Sequence, residues 1–261
     1  MANDPKELRL PACLIIMDGF GLQDPGDGNA ISLADTPVLD GLFDTRPWTR
    51  LEASGEAVGL PEGQMGNSEV GHLYQELTRI NKACADGSIE SNPVIRHAFD
   101  AVKRNGSVLH LMGLLSDGGV HSSNEHLYAL LAAARNAGVP EVRVHCFMDG
   151  RDVPPSSGAG YVQELEQRIV DLGMSPVGDG SSKARIASIS GRYYAMDRDK
   201  RWDRVQKAYE TVVDGANFVD MSPLSAMEAS YEEGATDEFV VPVAFVEDGV
   251  QDGDAVVFFN F

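Results

Sequence analysis

The chain has 261 residues, 43% hydrophobic and 23% charged, which suits one large folded domain or two ordinary ones and excludes a disordered or fibrous chain. Forty Asp and Glu against 21 Lys and Arg give a net charge of −19, which disfavours nucleic acid and anionic membrane as partners. No apolar run approaches a membrane span, the N-terminus Met-Ala-Asn-Asp-Pro-Lys-Glu lacks a signal-peptide core, and three scattered cysteines (Cys13, Cys84, Cys146) fit a reducing cytoplasm.

The first predicted element is a buried strand at residues 11–17, short, continuous and apolar, running into Asp18-Gly19-Phe20-Gly21. A carboxylate at the C-terminal end of such a strand sits where open α/β sheets place ligand chemistry; an Asp-Gly turn is the alternative. Residues 24–29 read as loop. Thr36-Pro37 marks a helix start, with Thr36 as cap and Pro37 in the first turn. Residues 47–53 read as a second strand. Residues 59–72 then carry four glycines in fourteen positions, the kind of stretch that lets backbone approach a ligand. Ser68 stands where the glycines give way to a helical pattern (Leu73, Leu77, Ile80). A hydroxyl there lies among free N–H groups at the positive end of a helix, suited to phosphate; a plain cap by Asn67 or Ser68 is the alternative. No Lys-Ser or Lys-Thr follows, so the loop is not of the Walker type.

Asn92-Pro93 opens a further helix through Lys103. From residue 108 the pattern becomes regular. Strands are expected at 108–115, 141–148 and 184–190, and helices at 122–136, 158–172 and 202–213. Ser122-x-x-Glu125 reads as a capping box, and Trp202, Val205, Tyr209 and Val212 as one apolar helix face. Strand, loop and helix in alternation argue a mostly parallel α/β sheet. Its strand-end loops then gather His121, Arg151, Asp152 and Arg192 at one edge. Residues 183–207 hold eight Lys or Arg against three Asp, a basic island suited to a small anion. Within it Arg192 and Arg198 flank a Tyr-Tyr pair and are equally open to ligand binding and to structural pairing, whereas Arg201 and Arg204 read as a solvated, salt-bridged helix face. Residues 255–261 read as a core strand.

Five stretches together resemble one family. They are Met17-Asp18-Gly19-Phe20-Gly21, Gly66-Asn67-Ser68-Glu69-Val70-Gly71-His72, Ser116-Asp117-Gly118-Gly119-Val120-His121-Ser122, Phe147-Met148-Asp149-Gly150-Arg151-Asp152-Val153-Pro154-Pro155 and Ser190-Gly191-Arg192-Tyr193-Tyr194-Ala195-Met196-Asp197-Arg198-Asp199. In order and in kind they are similar to motifs of the cofactor-independent (2,3-bisphosphoglycerate-independent) phosphoglycerate mutases. The resemblance implies an alkaline-phosphatase-like domain, whose incomplete first segment is residues 1–75, interrupted by an α/β phosphotransferase domain with a mostly parallel sheet, residues 76–261. It implies interconversion of 3-phosphoglycerate and 2-phosphoglycerate through a phosphoserine at Ser68, with two divalent cations, manganese foremost. Asp18 and Ser68 are then metal ligands. His121, Arg151, Asp152, Arg192 and Arg198 are substrate-binding, and Asp152 is also the catalytic proton shuttle. The family is typically monomeric.

The chain departs from the family in small ways at Phe20, where relatives often carry Trp, and at Ser123, where they often carry His. After Phe259-Asn260-Phe261 the family continues into an Arg-rich segment and most of its metal ligands. The resemblance therefore implies a fragment that lacks a C-terminal half and does not turn over alone. A metal-dependent phosphatase, or a module that only binds phosphoglycerate, are the other readings.

Overall fold

The computed structural model describes residues 13–17, 20–52, 68–176 and 182–261, with residues 68–75 as helix backbone only. A five-stranded sheet forms the centre, built from β1 (Leu109–Leu115), β2 (Glu141–Met148), β3 (Lys183–Gly191), β4 (Val243–Ala244) and β5 (Ala255–Phe258) in the order β4-β3-β2-β1-β5. β5, β1, β2 and β3 run parallel, and β4 is antiparallel to β3. β1 reads as a near-continuous apolar run because both its faces are covered, and all seven of its residues are buried.

One face carries the main core. Leu127, Leu130 and Leu131 of α5 (Asn124–Ala137) and Val162, Leu165 and Ile169 of α6 (Gly158–Asp171) pack there. α4 (Pro93–Asn105) adds Phe99 and Val102. Its start is set by Asn92, which accepts the Val94 N–H at 2.9 Å, with Pro93 following, and Gly106 at φ 64° ends it. On the other face Met112, Leu114 and Phe147 meet Ala195 and Met196 beside the short α7 (Arg192–Ala195) and Val212 of α8 (Trp202–Val213).

A polar ladder also crosses the sheet at its buried centre. Asp254 Oδ2 lies 3.1 Å from His110 Nε2, His110 Nδ1 lies 2.8 Å from His145 Nε2, and His145 Nδ1 lies 2.7 Å from Ser188 Oγ. The carboxylate can only accept, which makes His110 Nε2 a donor and its Nδ1 an acceptor. His145 therefore donates from Nε2 and accepts the Ser188 hydroxyl proton at Nδ1. One neutral tautomer of each ring satisfies every bond.

Several expectations change. The described parts of the two early strands, 13–17 and 47–52, are neither paired nor buried; Leu14, Ile16 and Leu51 are 85%, 72% and 75% exposed. An apolar run becomes a buried strand only when other strands cover it, and none of the five described strands does so. α1 (Ala30–Leu33) and α2 (Pro37–Thr45) bury no residue, although Pro37 opens α2 as expected. Thr36 makes no capping bond and instead donates its hydroxyl to Asp40 Oδ1 at 3.1 Å. α5 starts at Asn124, and the capping box does not form, because the Ser122 hydroxyl is drawn back onto the Leu114 carbonyl. α8 turns a partly different face inward, with Val212 packed against the sheet as expected. Ala208 and Thr211 are buried while Trp202 and Tyr209 are 69% and 62% exposed, since Arg204 and Lys207 lie over the rings of Tyr193 and Tyr194 and hold the helix by that side. β5 is a half-exposed edge strand of four residues rather than a core strand of seven. Beyond it Phe259 N–H still donates to the Met112 carbonyl and Phe261 N–H to that of His121, both at 2.9 Å. α9 (Pro223–Glu232), which opens on Ser222-Pro223 with the serine hydroxyl accepting the Ser225 N–H at 3.1 Å, the single helical turn Asp237–Phe239 and β4 were not among the expected elements.

Candidate active site

Because β1, β2 and β3 run the same way, the loops after Leu115, Met148 and Gly191 open on one edge. The loop after β1 brings His121, that after β2 brings Asp149, Arg151 and Asp152, and β3 passes directly into Arg192. His121, Arg151 and Arg192 border a cleft of about 670 Å³ whose walls also include Arg198, Arg204 and Glu238, and Asp149 and Asp152 stand behind Arg192, each 2.7 Å from its Nη1.

Arg192 is the anchor. Its side chain is 7% exposed, and Nη1 donates to both Asp149 Oδ1 and Asp152 Oδ2, each at 2.7 Å. Asp149 is the residue that sequence reasoning missed. Its carboxylate is 1% exposed, and its Oδ1 also accepts the backbone N–H of Arg151 and of Asp152 at 3.1 Å each. One buried oxygen thus sets the turn that presents Arg151 and Asp152 and steers the guanidinium of Arg192. Burial works to raise the Asp149 carboxyl, but the N–H of Asp152, the Ser116 hydroxyl, the guanidinium of Arg192 and the N–H of Arg151 outweigh it and hold it below the ordinary Asp range. The same two carboxylates strengthen the charge on Arg192 against its own burial.

His121 Nε2 sits 3.9 Å from Asp152 Oδ2. Burial and then the neighbouring Arg192 lower its basicity, with Asp152 pulling the other way, so the ring is neutral at pH 7. Arg198 is exposed at the mouth of the cleft. Arg204 departs from the solvated face expected for it. Its side chain is 17% exposed, its guanidinium carbon stands 3.8 Å over the Tyr193 ring, and Nη1 lies 3.2 Å from Asp197. Arg201 behaves as expected, exposed and 3.7 Å from Asp203.

The structure thus brings together His121, Arg151, Asp152, Arg192 and Arg198. Asp18, and the glycine-rich stretch up to Asn67, lie outside the described residues, as does the side chain of Ser68, whose backbone opens α3 (Ser68–Ala85). Among the described residues no three His, Cys, Asp or Glu side chains converge as a metal site would need, so no cation is placed there. No described helix is long and apolar enough to cross a membrane.

Chemically, the cleft joins several guanidinium groups, suited to phosphate and carboxylate oxygens, with the Asp152 carboxylate held beside two of its lining residues, 2.7 Å from Arg192 and 3.9 Å from His121. Comparison with known proteins is consistent with that chemistry. The family model described as BPG-independent PGAM N-terminus matches residues 80–261. A 2,3-bisphosphoglycerate-independent phosphoglycerate mutase of Myxococcus xanthus is 52% identical over 262 residues, covering 95% of this chain and 49% of that protein. One of Moorella thermoacetica is 52% identical, covering 96% and 50%. A crystal structure of Leishmania mexicana phosphoglycerate mutase at low cobalt concentration superposes with a TM-score of 0.71 at 34% identity, over 94% of this chain and 47% of that one. The chain spans about half the length of the curated relatives it matches.

Proposed function

The chain belongs to the BPG-independent phosphoglycerate mutase family, and from that premise we propose that it carries the substrate-holding part of a mutase interconverting 3-phosphoglycerate and 2-phosphoglycerate. The observation that carries the reading is the convergence of Arg151, Arg192 and Arg198 on one cleft, with Asp152 held 2.7 Å from Arg192. The arginine forks take the oxygens of phosphate and carboxylate. Asp152, fixed by Arg192 and backed by the neutral His121, moves protons between the two glycerate hydroxyls as the phosphoryl group leaves one and returns to the other.

By resemblance, Ser68 accepts the phosphoryl group, and Asp18 and Ser68 belong to a site for two divalent cations, manganese foremost. A bound cation activates a hydroxyl nucleophile. The described residues do not form such a site, and the other ligands are assigned to the part of the family's length that this chain does not span. We keep the division into residues 1–75 and 76–261. It falls inside α3 and is supported by the family match beginning at residue 80. The working form is a cytoplasmic monomer, with phosphoglycerate rather than nucleic acid or membrane as its partner.

An enolase-coupled assay with added manganese tests the reading. The chain alone binds phosphoglycerate without turnover, and adding the carboxy-terminal half of a relative restores 2-phosphoglycerate formation. Release of free phosphate instead would make it a phosphatase.

A further inference from the structure

The cleft is lined with guanidinium groups, yet its charges are largely neutralised from within. Arg192 faces Asp149 and Asp152 at 2.7 Å, and Arg204 faces Asp197 at 3.2 Å. Arg151 Nη1 lies 3.7 Å from Glu238 Oε1. Arg198 makes no ion pair among the described residues. These pairings differ in how easily they yield. Arg192 and Arg204 are 7% and 17% exposed and short-bonded, whereas Arg151 is 58% exposed and holds its partner loosely. Arg151 is therefore the paired cation that can change partner at the smallest cost.

Glu238 is not a chance surface acid. Its backbone is locked at the rim. A Cβ on Gly191 would lie 2.3 Å from the Glu238 carbonyl oxygen, and one on Gly150 would lie 2.9 Å from its nitrogen. Gly191 N–H donates to the Val240 carbonyl at 2.8 Å and Asp237 N–H to that of Pro155 at 2.9 Å. Asp237 itself is fully buried, accepting the Gly158 N–H at 2.8 Å and the Tyr231 hydroxyl. Phe239 rests on Tyr193, ring centroids 5.1 Å apart. The turn Asp237–Phe239 is thus wedged between the ends of β2 and β3, and it delivers one carboxylate, 21% exposed, into a cleft built for anions.

We propose that Glu238 is an exchangeable internal counter-anion. It holds Arg151 while the cleft is empty and gives it up to an incoming phosphate or carboxylate, thereby setting how tightly the cleft binds anions. This rests on the cleft taking an anion, and deepens the reading above by naming what the ligand must displace. Arg198 meets the anion first, Arg151 exchanges Glu238 for it, and Arg192 keeps its buried partners throughout. The carboxylate weakens ground-state binding, which favours release of either phosphoglycerate.

Calorimetric titration of the chain with inorganic phosphate and with 3-phosphoglycerate tests this. Glu238→Gln keeps the shape and removes the charge, and it binds both anions about two- to fivefold more tightly than wild type. In the Arg151→Gln background the same change has no effect. Should Glu238→Gln fail to fold, Glu238→Asp, which keeps the charge but shortens its reach, shows a smaller gain in the same direction. Equal or weaker binding of phosphate by a folded variant overturns the proposal, as does a gain that survives without Arg151. Tighter phosphate binding with no 3-phosphoglycerate binding by any variant would sustain the exchange and refute the phosphoglycerate reading. Absence of binding by either anion to every variant would refute both.

Discussion

Asp149 and Arg192 meet at 2.7 Å with both side chains almost wholly buried, and the guanidinium nitrogen that joins them lies as close to Asp152. Removing Asp149 leaves buried Arg192 with Asp152 as its remaining partner and the N–H groups of Arg151 and Asp152 without their acceptor. Asp149→Ala is expected to lose about 1–3 kcal/mol of stability and to bind phosphoglycerate more weakly per folded molecule. Asp149→Asn keeps an oxygen for the two N–H groups and loses less of both. Urea denaturation followed by calorimetry on the folded variants checks this; an Asp149→Ala protein as stable as wild type contradicts it.

The ladder from Asp254 through His110 and His145 to Ser188 makes the fold sensitive to acid. Burial, and secondarily His110, pushes His145 down to about 3, and burial lowers His110 also. Both rings are neutral when folded, but once unfolded they bind protons below about pH 6.5. Their contribution is complete above that value and falls away as pH drops beneath it. At pH 5 the loss from His145 alone is about 2 kcal/mol. The urea midpoint should fall between pH 7.5 and pH 5, and His145→Asn should flatten that dependence. Identical slopes for the two proteins would refute the neutral ladder.

His121 is held below the ordinary histidine range by burial and by Arg192. An anion in the cleft offsets the positive field of Arg192, so ligand binding should raise the His121 midpoint. Side-chain NMR titration of the free chain should place it under about 6.5 and move it up on adding 3-phosphoglycerate. A midpoint indifferent to ligand would mean that the anion does not bind beside His121.

Gly191 and Gly160 make opposite demands. Gly191 has an ordinary φ of −60°, but an added Cβ would strike the Glu238 carbonyl at 2.3 Å. Gly160, in α6, has open space at that point. Gly191→Ala should therefore cost about 1–3 kcal/mol by overpacking and slacken the turn that carries Glu238, while Gly160→Ala should gain about 0.5–1 kcal/mol of helix propensity. Thermal denaturation of the two variants reads the difference.

The parts of this molecule that could be read from its sequence are those where local pattern and burial agree. Residues 108–115, 141–148 and 184–190 are short runs rich in apolar residues, interrupted by His110, Arg143, His145, Arg185 and Ser188, each followed by a loop and then a helical pattern, and the sheet buries most of their positions on both faces. Fixing their direction fixed the edge where His121, Arg151, Asp152 and Arg192 meet. Residues 13–17 have the same apolar character without covering strands, and pattern alone does not supply a neighbour. The contact face of α8 was partly misread because Arg204 and Lys207, polar by composition, pack their guanidinium and ammonium groups on Tyr193 and Tyr194. Asp149 had a usable signal, an Asp at a strand end before Gly, of the same kind that drew attention to Asp18. Glu238 had none: it lies far along the chain from Arg151 and reaches it only through tertiary packing.

The most direct test of the account is calorimetric titration of this chain with 3-phosphoglycerate, in wild type and in Arg192→Ala. Binding of one molecule per chain by wild type, weakened at least about tenfold when the guanidinium that holds Asp152 is removed, is the predicted result. No binding by the folded wild-type chain, or equal binding by the two proteins, would contradict it.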